Sequence, residues 1–444
     1  MNNYKLSVKK YPVYKDSGVE WLGDVPEHWE LKRLKDIIKN LESGVSVNAE
    51  NMPAQNHLYG VLKTSCVNEY GFNPNENKAI LPEEFTRVKC SPKKGRIIIS
   101  RMNTPELVGA SGYINEDYPN LFLPDRLWQT AFYRNSKLNS KWLSYLLLAS
   151  SLKGVISCSA TGSSPSMKNL AQEDFLRIEI PIPRLSEQEL IADYLDTKTA
   201  QCDRKIDLLT QKATQYGKLK QSLINETVTR GLDKSVPMKD SGVEWIGDVP
   251  EHWEVVRNKQ IFQERSILSS TGKETLLTVS HITGVTPRSE KNVNMFMAET
   301  MEGYKICHQG DLIINTMWAW MGALGTSKYF GICSPAYNVY MPVNNVPYDY
   351  RYFDYLYRTP NAIVEMTRNS KGIVSSRLRL YAKEFFQIET PLPPVSKQNA
   401  IADYLDKKTA QIDQIIQTIN TQIEKLKELR KTLINDVVTG KIKV

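Results

Sequence analysis

The 444-residue sequence is 41% hydrophobic and 24% charged, ordinary for a folded chain and long enough for two or three domains. Its formal net charge of +8, from 57 Lys plus Arg against 49 Asp plus Glu, permits a polyanionic partner without demanding one. Six scattered cysteines with no C-x-x-C pair, a polar opening stretch and only short apolar runs argue against a disulfide framework, a secretory signal and a membrane span; a soluble cytoplasmic protein is expected.

Taken in order, the chain repeats itself. Residues 15–30 read KDSGVEWLGDVPEHWE, and residues 239–254 differ from them only in Ile246 for Leu22. Gly18, Gly23 and Pro26 are expected to turn the chain, and Trp21, Trp29, Trp245 and Trp253 to anchor a core. Stacking of these Trp on bases, or chemistry at His28 and His252, is the alternative; a turn-rich clasp with no second His or Cys nearby favours structure. A variable block follows each motif. In the first, strands are predicted at 96–100, 107–114, 130–134 and 175–180, with a helix over 141–156. In the second, strands are predicted at 275–282, 312–315 and 338–342, with a helix over 349–366 interrupted at Pro360.

Each block ends in a Pro-x-Pro run and a long helical stretch beginning S-x-Q-x-x-IADYLD-x-KTAQ-x-D, at about 186–229 and 396–439. The second copy has an apolar seam at Ile412, Ile416, Ile419, Ile423, Leu426, Arg430, Leu433 and Val437, in alternating steps of four and three. The first copy has the same spacing with weaker residues: Cys202, Ile206, Leu209, Ala213, Tyr216, Lys220, Leu223 and Thr227. Neither stripe can be buried alone, so the two helices are expected to pack on each other. The carboxylates of IADYLD suit the positive end of a helix. The copies are offset by 224 residues at the motif and 210 at the helix, so the second block is 14 residues shorter. The resulting expectation is an α+β chain with an internal pseudo-two-fold repeat. Two similar globular domains are separated by two long helices that pair as an antiparallel coiled coil. Boundaries are expected at 1–184 (motif and first domain), 185–231 (central helix), 232–394 (second motif and domain) and 395–444 (second helix).

Signatures of catalysis are missing. Gly272-Lys273 is followed by Glu274 without the upstream Gly of a phosphate loop, and Asn73-Pro74-Asn75 is only a fragment of an adenine-methylation motif. No G-x-S-x-G, H-E-x-x-H or Cys/His cluster appears, so no catalytic or metal-binding residue is assigned. The blocks offer polar loops instead. Residues 161–168 contribute Ser163, Ser164, Ser166 and Lys168; residues 370–379 contribute Lys371, Ser375, Ser376, Arg377 and Arg379. Arg101 and Asn103 follow one apolar strand, and Asn315 and Trp318 follow its counterpart. Arg grips guanine and Asn grips adenine through paired hydrogen bonds, while Lys and Ser serve phosphates. Ordinary solvated loops have the same composition.

With the doubled SGVEW-[LI]-GDVPEHWE and the doubled P-x-P…S-x-Q…IADYLD-x-KTAQ-x-D on the page, the chain resembles the specificity subunit of a type I restriction–modification system over nearly its whole length. The resemblance implies two target-recognition domains, each reading half of a split double-stranded DNA sequence, and no catalytic residue in this chain. It implies partners: two modification (methyltransferase) subunits that bind S-adenosylmethionine and methylate adenine, and restriction/translocase subunits that use ATP and Mg²⁺. This chain itself is expected to bind no cofactor. Unlike blocks predict unlike half-sites. The shared 26-residue seam from Cys202 to Thr227 would span about 39 Å, or roughly 11 base pairs. Its weaker copy leaves burial for partner subunits to complete. Rival readings are a scaffold binding proteins on a coiled-coil frame and an enzyme with a diverged site.

Overall fold

The computed structural model describes residues 9–55, 58–164, 166–291, 300–374 and 377–444, with the side chains of 163 and 164 left out. The chain divides into two compact units, Met1–Leu209 with Thr421–Val444, and Thr210–Asn420. Each unit holds one copy of the motif, one variable block and parts of both long helices.

The first unit is built on a four-stranded antiparallel sheet in the order Ser111–Tyr113, Ile97–Ser100, Leu127–Phe132, Ile38–Ser43. The second has the same order in Leu324–Thr326, Leu312–Asn315, Tyr337–Pro342, Phe262–Glu264. The central strands read as unbroken apolar runs because both faces are covered. Ile97 and Ile99 enter a core with Trp29, Trp128, Trp142 and Phe175, whereas Ile98 enters a separate one with Leu62, Cys66 and Leu127. Likewise Leu312 and Ile314 join Trp253, Phe262 and Tyr340, and Ile313 joins Leu277, Val279 and Val339.

Several boundaries differ from the sequence expectation, for local reasons. Residues 107–114 form a strand only at Ser111–Tyr113. The expected strand over 175–180 is a helical turn, Gln172–Arg177, that buries Phe175, followed by the strand Glu179–Ile182. The stretch 141–156 is two helices, Ser140–Leu148 and Ser150–Ser159, broken at extended Ala149. Pro360 opens a helix, Pro360–Asn369, in the position where its missing N–H costs nothing, so the break lies before it.

The repeated motif makes a small hairpin, Tyr14–Asp16 against Asp24–Pro26 and Met238–Asp240 against Asp248–Pro250. Gly18 and Gly23 turn it with φ of 66° and 65°, and Pro26 ends a strand and opens the next turn, its carbonyl accepting from Trp29 N at 2.9 Å. Trp29, Trp245 and Trp253 are buried and Trp21 is partly buried against the core. The next strand of each motif pairs with the strand of the Pro run, Glu30↔Ile182 and Glu254↔Leu392, which leads directly into a long helix.

Those helices are Leu185–Arg230 and Val395–Val438. They pair antiparallel within each unit: Arg430 meets Asp203 at 2.9 Å in the first, and Lys220 meets Asp413 at 2.6 Å in the second. Ile412, Ile419, Ile423, Leu433 and Val437 are buried, and Ile416 and Leu426 half-buried. Ile206, Leu209, Tyr216 and Leu223 are half-buried.

The helix starts explain the repeated S-x-Q and IADYLD. Buried Gln188 accepts from Asn139 N (2.8 Å) and donates to the carbonyls of Pro183 and Lys137. Buried Gln398 does the same with Asp349 N, Pro393 and Pro347. Ile191, Ala192 and Leu195, and their counterparts Ile401, Ala402 and Leu405, are buried. Both aspartates of each copy, Asp193 and Asp196 and their counterparts Asp403 and Asp406, lie two or more turns into the helix, too far to serve its dipole. Asp196 instead accepts from Tyr145 OH (2.7 Å) and Asp406 from Tyr355 OH (2.8 Å). Burial and the adjacent carboxylate push both tyrosine hydroxyls up from their ordinary value, burial being the larger effect. Each variable block is thereby fixed to the start of the helix that follows it.

Candidate nucleic-acid interface

The two loop regions singled out in each block come together. In the first unit, the chain leaves Ile97–Ser100 and forms a short strand, Met102–Asn103, which pairs with Met167–Asn169, itself paired with Thr161–Ser164. Asn103 stands opposite Lys168, and Leu170 N donates to Arg101 O at 2.8 Å. In the second unit, Leu380 N donates to Thr316 O at 3.1 Å, joining the loop after Leu312–Asn315 to residues 371–379.

The two hairpins superpose residue on residue in the sequence. Thr161 pairs with Asn169, and Lys371 bridges Arg379, at the 210-residue offset of the long helices. A close approach repeats as well. A Cβ at Gly162 would lie 2.2 Å from Met167 O, and one at Gly372 2.8 Å from Arg377 O, so a larger residue at either position forces the hairpin apart. The hairpin backbone is kept while its side chains change: Thr161 becomes Lys371, Met167 becomes Arg377 and Asn169 becomes Arg379. The loops beside the hairpins differ in backbone too: Asn103 lies in a strand, and Trp318, at the aligned position, caps the short helix Ala319–Met321.

The candidates are not equally placed to meet a partner. Arg101 is half-buried; its Nε and Nη2 donate to Asn169 Oδ1 (3.4 and 3.3 Å) and its guanidinium lies 5.5 Å from the centre of the Trp128 ring. Lys168 Nζ donates to Ser157 O (3.2 Å), and Asn103 Nδ2 to Ser100 Oγ (3.2 Å). Asn315 is buried and its Oδ1 accepts from Met317 N, so this side chain builds the turn. Ser166, Lys371, Arg377, Arg379 and Trp318 are exposed. Ser375 and Ser376 lie outside the described residues, as do the side chains of Ser163 and Ser164. Asn169 and Trp128, which position Arg101, were not among the sequence candidates; the matching 210-residue offset is the signal that would have drawn in Asn169. His28 Nε2 pairs with Glu187 Oε2 at 2.9 Å, and Tyr11 OH donates to Glu187 Oε1, which ties the first motif to its helix. Among the described residues no cluster of three or more His, Cys, Asp or Glu could hold a metal, and no helix is long and apolar enough to cross a membrane.

A family model described as the type I restriction modification DNA specificity domain matches residues 26–215 and 250–425. The chain belongs to that family. Its members in the curated collections include a putative type I restriction enzyme MjaX specificity subunit of Methanocaldococcus jannaschii, 23% identical over 95% of this chain and 96% of that one. The type I restriction enzyme EcoEI specificity subunit of Escherichia coli is 24% identical over 47% of this chain and 35% of its own length. Among solved structures, a chain described under complex assembly and conformational transition of a type I R-M system aligns at a TM-score of 0.66, with 15% identity, over 93% of this chain and 98% of that one. The HsdS subunit from Thermoanaerobacter tengcongensis aligns at 0.53, with 15% identity, over 94% and 98%. The fold is thus that of type I specificity subunits, and DNA recognition is the role of the family.

Proposed function

We propose that this specificity-family member reads a bipartite, asymmetric DNA target and directs adenine methylation and restriction by partner subunits. One observation carries the reading: two hairpins of matched backbone present different side chains. Identical surfaces would favour a palindrome; these favour two unlike half-sites. Arg101, Asn103 and Lys168 serve one half, and Lys371, Arg377, Arg379 and Trp318 the other. The paired helices set the gap, about one turn of duplex between half-site centres. S-adenosylmethionine, ATP and Mg²⁺ act on two methyltransferase subunits and on restriction/translocase subunits, not on this chain. The half-buried seam of the first helix supports a further role in receiving those subunits.

Mapping of methylated adenine across a genome, with and without this chain, tests the reading. Two unlike half-sites at one fixed gap are expected only when the chain is present. An unchanged methylation map would refute it. Retention on duplex DNA should also weaken steeply with salt, because phosphate contacts release counterions; salt-insensitive or absent retention would favour a protein-binding scaffold.

A further inference from the structure

Of the chain's eight tryptophans, Trp318 alone is exposed, with 49% of its surface in water. Its ring is nevertheless held in place. Trp320 Nε1 donates to Met317 O at 3.0 Å, and Trp318 stacks on Trp320 with centroids 6.2 Å apart and planes 15° from parallel. Its backbone is tied on both sides: Trp318 N donates to Asn315 O, and Trp318 O accepts from Met321 N and Ala323 N. The Leu380–Thr316 hydrogen bond joins this loop to the segment carrying exposed Ile373 and Val374, and Met317 is exposed as well. The two joined segments thus expose Met317, Trp318, Ile373 and Val374 together with Lys371, Arg377 and Arg379. Holding so much apolar surface in water marks a binding surface, and the cations fit a polyanion. The first unit has polar Asn103 at the equivalent position.

Resting on the DNA reading above, we propose that Trp318 is a wedge that the second domain inserts between adjacent bases of its half-site, while Lys371, Arg377 and Arg379 grip the flanking phosphates. A ring already stacked on Trp320 loses little freedom on insertion. Opening the duplex is easiest at flexible pyrimidine–purine steps, so one such step belongs to this half-site and confers specificity without hydrogen bonds to base edges. The first domain, with Asn103 there, reads without a wedge.

The test uses the full chain assembled with the methyltransferase subunit of its own system, and duplexes that this complex selects from a random-sequence pool. Each duplex is made intact and with one abasic site moved along both half-sites. Apart from the adenines that the methyltransferase subunits extrude, where loss of pairing also helps, an abasic site at one further step of one half-site should tighten binding, because the opening is already made. Trp318→Ala should weaken binding to the intact duplex by about tenfold, the worth of one aromatic–base stack, and erase the abasic preference. Trp318→Phe should keep both, and Asn103→Ala should keep the preference. A preference that survives in Trp318→Ala, or that is absent from the unaltered complex, overturns the wedge and leaves DNA reading intact. A complex that selects no duplex overturns both.

Discussion

Gln398 stabilises the second unit through contacts that no local pattern announces. Its amide partners lie at Asp349, Pro347 and Pro393, and its side chain is wholly buried. Replacement by Ala leaves three backbone groups unpartnered and should destabilise the unit by about 2–4 kcal/mol, read as a lowered melting temperature by calorimetry. Gly162 makes the opposite kind of demand. A Cβ 2.2 Å from Met167 O opens the candidate hairpin at the surface, so Gly162→Ala should abolish selection of one half-site in methylation mapping while the melting temperature stays unchanged. Asp354 supplies a pH dependence. Burial raises its carboxyl above the usual range, with Arg358 pulling the other way. The folded chain therefore holds this proton more tightly than the unfolded one, and that stability is lost as pH rises through the raised value. Relative to wild type, Asp354→Asn should gain stability as pH is raised from about 4 upward, measured by denaturant titration. At this scale least was legible in the sequence. The loops were, but not that Arg101 is held by Asn169 and Trp128 or that Asn315 folds its own turn, because those partners are remote or depend on the turn itself.

At the level of elements, periodicity made much more legible. The seam every three and four residues marked both long helices, and the triple apolar run at Ile97–Ser100 marked a strand covered on two faces. Short elements hid. The turn of helix at Gln172–Arg177 is too brief for a period to show, and Phe175 ahead of a Pro run imitates a strand. The cross-helix ion pairs are repeat counterparts, Arg430 matching Lys220 and Asp203 matching Asp413. Their surroundings differ. Arg430 is buried, donates to Glu69 O and lies 5.1 Å from the Tyr70 ring centre, whereas the Lys220 pair is more open to solvent. Asp203→Asn should therefore cost about 1–2 kcal/mol, because a buried guanidinium loses its counter-charge. Asp413→Asn should cost well under about 1 kcal/mol. Thermal unfolding of the two variants side by side checks the order; equal losses would contradict this account of burial.

For the molecule as a whole, the proposed reading makes the paired helices the determinant of the target's gap. Removal of seven residues from each helix keeps both seams in phase and should shorten the gap found by methylation mapping by about 3 base pairs; methylation at the original spacing would exclude the helices as its determinant. The internal repeat was fully legible because it compares the chain with itself. The manner in which the units are assembled was not, since it depends on which helix segment packs into which core. Leu433, Ile434, Val437 and Val438 share a core with Trp29 and Trp142, Asn435 accepts from Ser151 N and Oγ, and Tyr14 OH donates to Gly440 O. The first unit to leave the ribosome is therefore the last to be completed. Its opening 209 residues must wait with an uncovered apolar face until residues 421–444 have been made, after the whole of the second unit. A chain stopped anywhere in that interval leaves this face open and should aggregate.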